Sequence, residues 1–309
     1  MTAIVGCDVS KEWIDVHVLD PESNRRVRNA PGAIDKLVQS LPAGSRIGME
    51  ATGTMHELMA ARLVAAGHVV YVINPRWIHA YAKALGQRGK TDRQDAALIA
   101  RFVAAEHREL HEYVPPSPEQ AELQMLLRRR IELVKLKTAT RQSLGVLAKP
   151  VVTQFNKLLR EIERRIETLI TENPQQAALS TRLRTIPGVG PVVVAHLVQV
   201  LTRFPFGSAE AFVAHTGTDP RPNDSGTKQG RRRLTHHGDR SLRHMLFLAA
   251  LAAVKVPVWR VIYEAQRRKG LPSTGAIIVL ARKIARIAFH IYKTGDIYDP
   301  TRIGMPNPA

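Results

Sequence analysis

Cysteine is almost absent from this chain of 309 residues, with Cys7 standing alone. Intrachain disulfides and cysteine-rich zinc sites are thereby excluded. Aromatic residues are also few, at 5%, and Trp13, Trp77 and Trp259 are scattered, which leaves no platform for stacking bases. No apolar run approaches the roughly 18–20 residues that a membrane-spanning helix needs. The opening MTAIVGCDVS lacks the layout of a secretory signal. A soluble protein of the cell interior, without a membrane partner, is the expectation.

Acidic charge is scarce in one part only. Lys and Arg total 45 against 27 Asp and Glu, a formal net charge of +18. Residues 1–114 are close to neutral, with 14 basic and 13 acidic side chains. Residues 115–175 carry 11 against 7, and residues 176–309 carry 20 against 7. Such a surplus calls for a polyanion, and without a membrane segment that means nucleic acid. The C-terminal part should hold most of it, whereas the N-terminal part keeps its carboxylates for another task.

Those three segments also differ in pattern. In the first, AIVGCDV and WIDVHVLD read as a hairpin of short strands. SRIGMEA and HVVYVINP read as further strands around the helical TMHELMAARLVAAG, and DRQDAALIARFVAAEH as an amphipathic helix. A mixed sheet flanked by helices follows. PPSPEQ at 115–120 punctuates the chain. Two helices over 119–148 and 150–171 come next, the second with apolar Phe155, Leu158, Leu159, Ile162, Ile166, Leu169 and Ile170. That seam fits an antiparallel hairpin or coiled coil, or equally one face of a globular bundle. The rest is mainly helical, with core helices at 240–255 and 275–293. Within it, IPGVGPVVVAHLV places Gly188 and Gly190 at a helix start. They either open the backbone to a phosphate or make a tight turn between helices.

Four carboxylates stand out. Asp8 ends the first strand and Glu50 a later one, where acidic residues are disfavoured in apolar strands. Asp92 and Asp95 share one face of a helix's first turn, a place that acidic residues also favour for the helix dipole. Converging carboxylates repel one another unless a cation joins them. Oxygen-only ligands suit Mg²⁺, and a pair of such ions clamps the oxygens of a phosphodiester. Ser225 lies in NDSGTKQGRRR, a turn-like stretch followed by Lys228, Arg231, Arg232 and Arg233, with Arg243 in the next helix. These cations are candidates for phosphate contacts or a solvated basic loop. His107 and His111 in HRELH lack the glutamate of a zinc-protease helix, and His236 and His237 diverge.

The motifs GCDVS, EATG, VINP at 72–75 and KTDRQDA at 90–96 resemble the N-terminal half of the DEDD transposases of the insertion-sequence one-ten family. The resemblance continues through IPGVG, FVAHTGTDPRPNDSG and GDRSLRHMLFLAA, in order along essentially the whole chain. Thr218 stands where members often carry Leu, and Asn223 where an aromatic is frequent. The resemblance implies an RNase H-like, resolvase-like α/β domain over 1–114, a helical coiled-coil linker over 115–175 and a mainly α transposase domain over 176–309. It also implies Mg²⁺ on Asp8, Glu50, Asp92 and Asp95, with Ser225 as the nucleophile forming a phosphoserine link to DNA. Further implications are a noncoding bridge RNA that pairs with target and donor DNA, homo-dimers pairing into tetramers, and a bacterial or archaeal, nucleoid-associated cytoplasmic setting.

Three functions compete on the residues themselves. A recombinase acting through Ser225 leads. A Mg²⁺-dependent junction nuclease would use water as nucleophile and leave Ser225 as a turn residue. A non-catalytic nucleic-acid scaffold would gain nothing from clustered negative charge.

Overall fold

A computed structural model describes residues 2–51, 53–86, 92–221, 233–235 and 238–301. The chain forms two compact units that divide between Pro115 and Pro116.

The first unit is built on a five-stranded mixed sheet. β1 (Ile4–Val9) and β2 (Trp13–Val18) pair antiparallel as the alternating apolar pattern predicts, and β3 (Ser23–Arg28) adds an antiparallel edge. β4 (Arg46–Glu50) and β5 (Val69–Ile73) extend the other side in parallel, giving the order β3-β2-β1-β4-β5. Alternate residues along a strand face opposite ways, so the sheet buries two different layers. One face packs Val5, Cys7, Ile14, Val16, Ile47, Met49 and Val70 with α1 (Pro31–Ser40) and α2 (Glu57–Ala65). The other packs Tyr71 and Ile73 with α3 (Pro75–Ala84) and α4 (Asp92–Glu106) through Ile78, Leu98, Ile99, Phe102 and Val103.

In the second unit α5 (Pro118–Leu144) opens with a capping box, in which the Ser117 hydroxyl accepts from the Gln120 amide and the Gln120 side chain accepts from the Ser117 amide. α6 (Lys149–Glu172) runs back antiparallel, tied by Arg165–Glu122 and Arg130–Glu163, both at 2.7 Å, and by Lys137–Asn156 at 3.2 Å. The helix break falls earlier than the expected 149–150 junction. Gly145, at φ 54°, ends α5, and a 3-10 turn over Gly145–Ala148 precedes α6. Proline cannot end a helix in which it sits at the first turn; it opens the second one.

The hairpin's base does not stand apart. Leu123, Leu127, Ile166, Leu169 and Ile170 join one core with α7 (Pro174–Leu183), α8 (Pro191–Arg203), α9 (Ala209–Thr216), α10 (Arg240–Ala253), α11 (Pro257–Arg268) and α12 (Ser273–Thr294). A small antiparallel pair, β6 (Pro220–Arg221) and β7 (Arg233–Leu234), brackets the segment that contains Ser225.

Candidate functional site

Two glycines explain how α4 lies over the strands that bear Asp8 and Glu50. Gly6 of β1 and Gly48 of β4 are register partners in the parallel pair. A Cβ on Gly6 would collide with the Ala96 carbonyl and the Ala100 amide of α4, and one on Gly48 with Val103 and Ile99. Helix α4 therefore lies directly on these two strands. Asp8 and Glu50 each follow their glycine by two residues, so they share the face that α4 covers. The next step of the same register sets Asp8 beside Glu50 at the carboxyl ends of adjacent strands. Asp95 precedes Ala96, in the turn of α4 that presses on Gly6. Asp92 starts the same helix, and its side chain lies outside the described residues. Asp8, Glu50 and Asp95 each have further interactions. Among the described residues, no three of His, Cys, Asp and Glu converge at metal-holding distances.

A fifth carboxylate belongs to this edge. Asp15 is Asp8's partner across the β1–β2 pair and is 5% exposed. Arg26, its own partner on β3, binds it with two nitrogens at 2.7 and 3.0 Å. A buried carboxylate needs such a fork. The sequence carries a trace of it, since an acid in the apolar run WIDVHVLD is as anomalous as Asp8. On the opposite face, burial pushes the Cys7 thiol up to about 12, with Arg25 opposing and Asp8 reinforcing.

The serine segment leaves from a polar knot. α9 ends at Gly217 in the left-handed region, and the Thr216 and Thr218 hydroxyls, both fully buried, bond each other at 2.7 Å. Polar Thr218 is therefore satisfied at the position where the resemblance suggests Leu. Asp219 accepts from the Thr235 hydroxyl at 2.5 Å, which ties the two ends of the segment. Gly238 admits no side chain, because a Cβ there would strike the His215 carbonyl and the Gly217 amide. Asp239 then caps α10 by accepting from Ser241 and Leu242, and Arg243 donates to the Thr216 carbonyl at 3.2 Å. Ser225, Lys228, Arg231, Arg232, His236 and His237 lie outside the described residues, as does the side chain of Arg233.

At the IPGVG turn the two glycines differ. Gly188 has φ 84°, and a Cβ would meet the Ala249 carbonyl and the Ala253 amide of α10, so close helix packing accounts for it. Gly190 caps α8 with open space around it. The start of α8 borders a cavity of about 220 Å³ with Glu163 and Glu167 on its wall. Arg130 and Arg184 neutralise these acids at 2.7 and 2.6 Å.

The His107 Nδ1, just past the end of α4, donates to the Val103 carbonyl at 3.2 Å.

Comparison with known proteins gives two family matches along the chain. A family model described as "Transposase", of DEDD type, matches residues 5–149, and one described as "Transposase IS116/IS110/IS902 family" matches residues 180–264. The DEDD match implies an RNase H-like N-terminal domain, with which the mixed five-stranded sheet agrees. The chain is 30% identical over 263 residues to the pilin gene-inverting protein of Moraxella bovis, covering 81% of each. It is 26% identical to a probable family 20 transposase of Pseudomonas aeruginosa, over 96% of this chain and 98% of the relative. It is 24% identical, with the same coverage, to the transposase for insertion sequence element IS1328 of Yersinia enterocolitica. The chain belongs to the IS110 family of transposases and is a DNA transposase or recombinase.

Proposed function

We propose that the chain cuts and rejoins DNA through a covalent link to Ser225, with Mg²⁺ held by Asp8, Glu50, Asp92 and Asp95. The observation that carries this reading is the placement of Asp8 and Glu50 on neighbouring strand ends under the helix that bears Asp92 and Asp95. That donor set is all oxygen, which suits Mg²⁺. When bound, the ion supplies charge neutralisation at the phosphoryl oxygens and acidifies a nearby hydroxyl. A serine hydroxyl needs such help near neutral pH. In cleavage the Ser225 Oγ–P bond forms as one P–O bond of the phosphodiester breaks. The hydroxyl proton leaves to solvent or a carboxylate, and the departing sugar oxygen takes a proton. Rejoining reverses this with the sugar hydroxyl of another strand. Lys228, Arg231, Arg232 and Arg233 are assigned to the flanking phosphates, and Arg243 orders the base of the segment.

Asp15, neutralised by Arg26, holds the strand register beside Asp8 without adding a free negative charge to the site. The family resemblance adds a structured noncoding RNA as the guide that pairs with target and donor DNA. It also adds assembly as dimers and tetramers, since one chain offers one Ser225 and strand exchange joins at least two cut sites. A relative named for inverting a pilin gene supports recombination between paired sites.

Incubation with Mg²⁺, donor and target DNA and co-purified RNA should give a protein–DNA adduct on denaturing gels. The adduct should vanish in Ser225→Ala and in Asp8→Asn. Cleavage that persists in Ser225→Ala but is lost in Asp8→Asn would instead make the chain a junction nuclease with water as the nucleophile. Sequencing the bound RNA tests the guide, and the absence of any discrete species would remove it from this reading.

A further inference from the structure

Arg282, on α12, is a cation in an unfavourable place. Its Nε is sealed from solvent and has no hydrogen-bond partner. Among the described residues no ion pair involves it. Arg286 lies one helical turn on, so two guanidinium groups share a face, an arrangement that repels. Among the described residues Arg286 makes a long contact to Glu210, at 3.5 Å. Burial, then Arg286, hold the Arg282 guanidinium below its ordinary basicity, and Asp219 acts the other way. Asp219 does not pair with it, being engaged by the Thr235 hydroxyl at 2.5 Å. The neighbours Ala281, Ile284, Ala285 and Ala288 are fully buried in the core, so the helix face is fixed and the side chain cannot swing away as a unit.

A half-buried, unpaired charge costs stability, and an apolar side chain of similar length would fit the helix better. The position makes sense if an anion completes it. Asp219 immediately precedes β6, so this cationic face stands at the base of the segment that contains Ser225. We propose that Arg282, reinforced by Arg286, is a phosphate-binding site for the DNA strand on which that segment acts. The guanidinium fork matches two oxygens of a phosphodiester, and Arg286 adds charge from the same face. This assignment rests on the recombinase reading for its ligand, and its test uses binding alone.

Affinity for a mixed-sequence DNA duplex is measured by fluorescence anisotropy across a salt series, with no cleavage required. Arg282→Met should weaken binding about tenfold, the loss of one charge-assisted contact. It should also reduce the slope of log Kd against log salt by about 0.9. Its melting temperature should hold or rise, since an unpaired buried charge is gone. Arg282→Lys should recover the salt slope and only part of the affinity. Unchanged affinity and slope in Arg282→Met overturn the proposal. An equal loss in Arg260→Met, an exposed arginine on α11, reduces the effect to general charge and overturns it as well. A loss seen with an RNA duplex of the same sequence but not with DNA overturns the assignment to the DNA strand. If wild-type protein forms no Ser225 adduct, the recombinase reading fails while the Arg282 binding result stands.

Discussion

His196 sits in α8 at 4% exposure, and its Nε2 has no hydrogen-bond partner. Burial lowers its pKa from 6.5 to about 4, against the pull of Asp239 and with help from Arg130 and His244. His215, packed against Phe204 and Phe206, is lowered for the same reason. Both are neutral in the fold, whereas the unfolded chain takes up their protons first as pH falls. The His196 contribution is whole above pH 6.5 and drains away as pH drops toward 4, and that of His215 is lost in the same direction. His196 alone accounts for up to about 3 kcal/mol of this swing. Melting temperature should therefore fall steeply between pH 6.5 and 4.5 in wild type, and His196→Leu should flatten the curve. An unchanged slope in that variant would place the titration elsewhere. Cys7 is silent across this range, because burial keeps its thiol protonated.

Strand and helix explain what could be read beforehand. The hairpin of β1 and β2, the two parallel strands and α4 were legible because their apolar residues recur at the spacing of their faces. β3 was not, since SNRRVR has only Val27 as an apolar inward residue, and its pairing depends on the β2 register. Asp8 and Glu50 were legible as acids in apolar strands, and Asp92 and Asp95 as a pair on one face of a helix's first turn. The approach of α4 to these strands is marked by the glycine two residues before each of Asp8 and Glu50, although a strand glycine alone does not say which backbone approaches it. Asp15 obeyed the same rule and was missed, because its meaning comes from Arg26 eleven positions away. The segment 222–232 has no core-facing pattern, so composition and resemblance alone spoke for Ser225. Gly6→Ala tests the helix–sheet contact. It should destabilise the first unit by about 2–3 kcal/mol and lower DNA cleavage further than the stability loss accounts for, by lifting α4 from the carboxylates. A variant with full activity would show that α4 does not set the site.

At the scale of the molecule, one cluster of exposed apolar side chains stands at the end of a hairpin. The tip of the α5–α6 hairpin exposes Leu144, Val146, Leu147 and Val151, with Val146 at 89% and Leu147 at 81%. Exposed apolar residues clustered at the end of a long arm fit contact with a second chain. The paired change Val146→Glu and Leu147→Glu should lower the oligomeric mass in light scattering while the chain still binds duplex DNA. Retention of the wild-type mass would move the proposed interface off the hairpin tip.

The division between Pro115 and Pro116 also bears on how the molecule comes into being. Every strand of the five-stranded sheet, and every helix packed on it, is encoded before that point. A nascent chain needs nothing from its second unit to close this core. Domains commonly fold in such order during synthesis, as each emerges. The strand ends bearing Asp8 and Glu50 are thus set while the segment that contains Ser225 has yet to be translated, so the activity proposed for the pair becomes available only when the later half has folded.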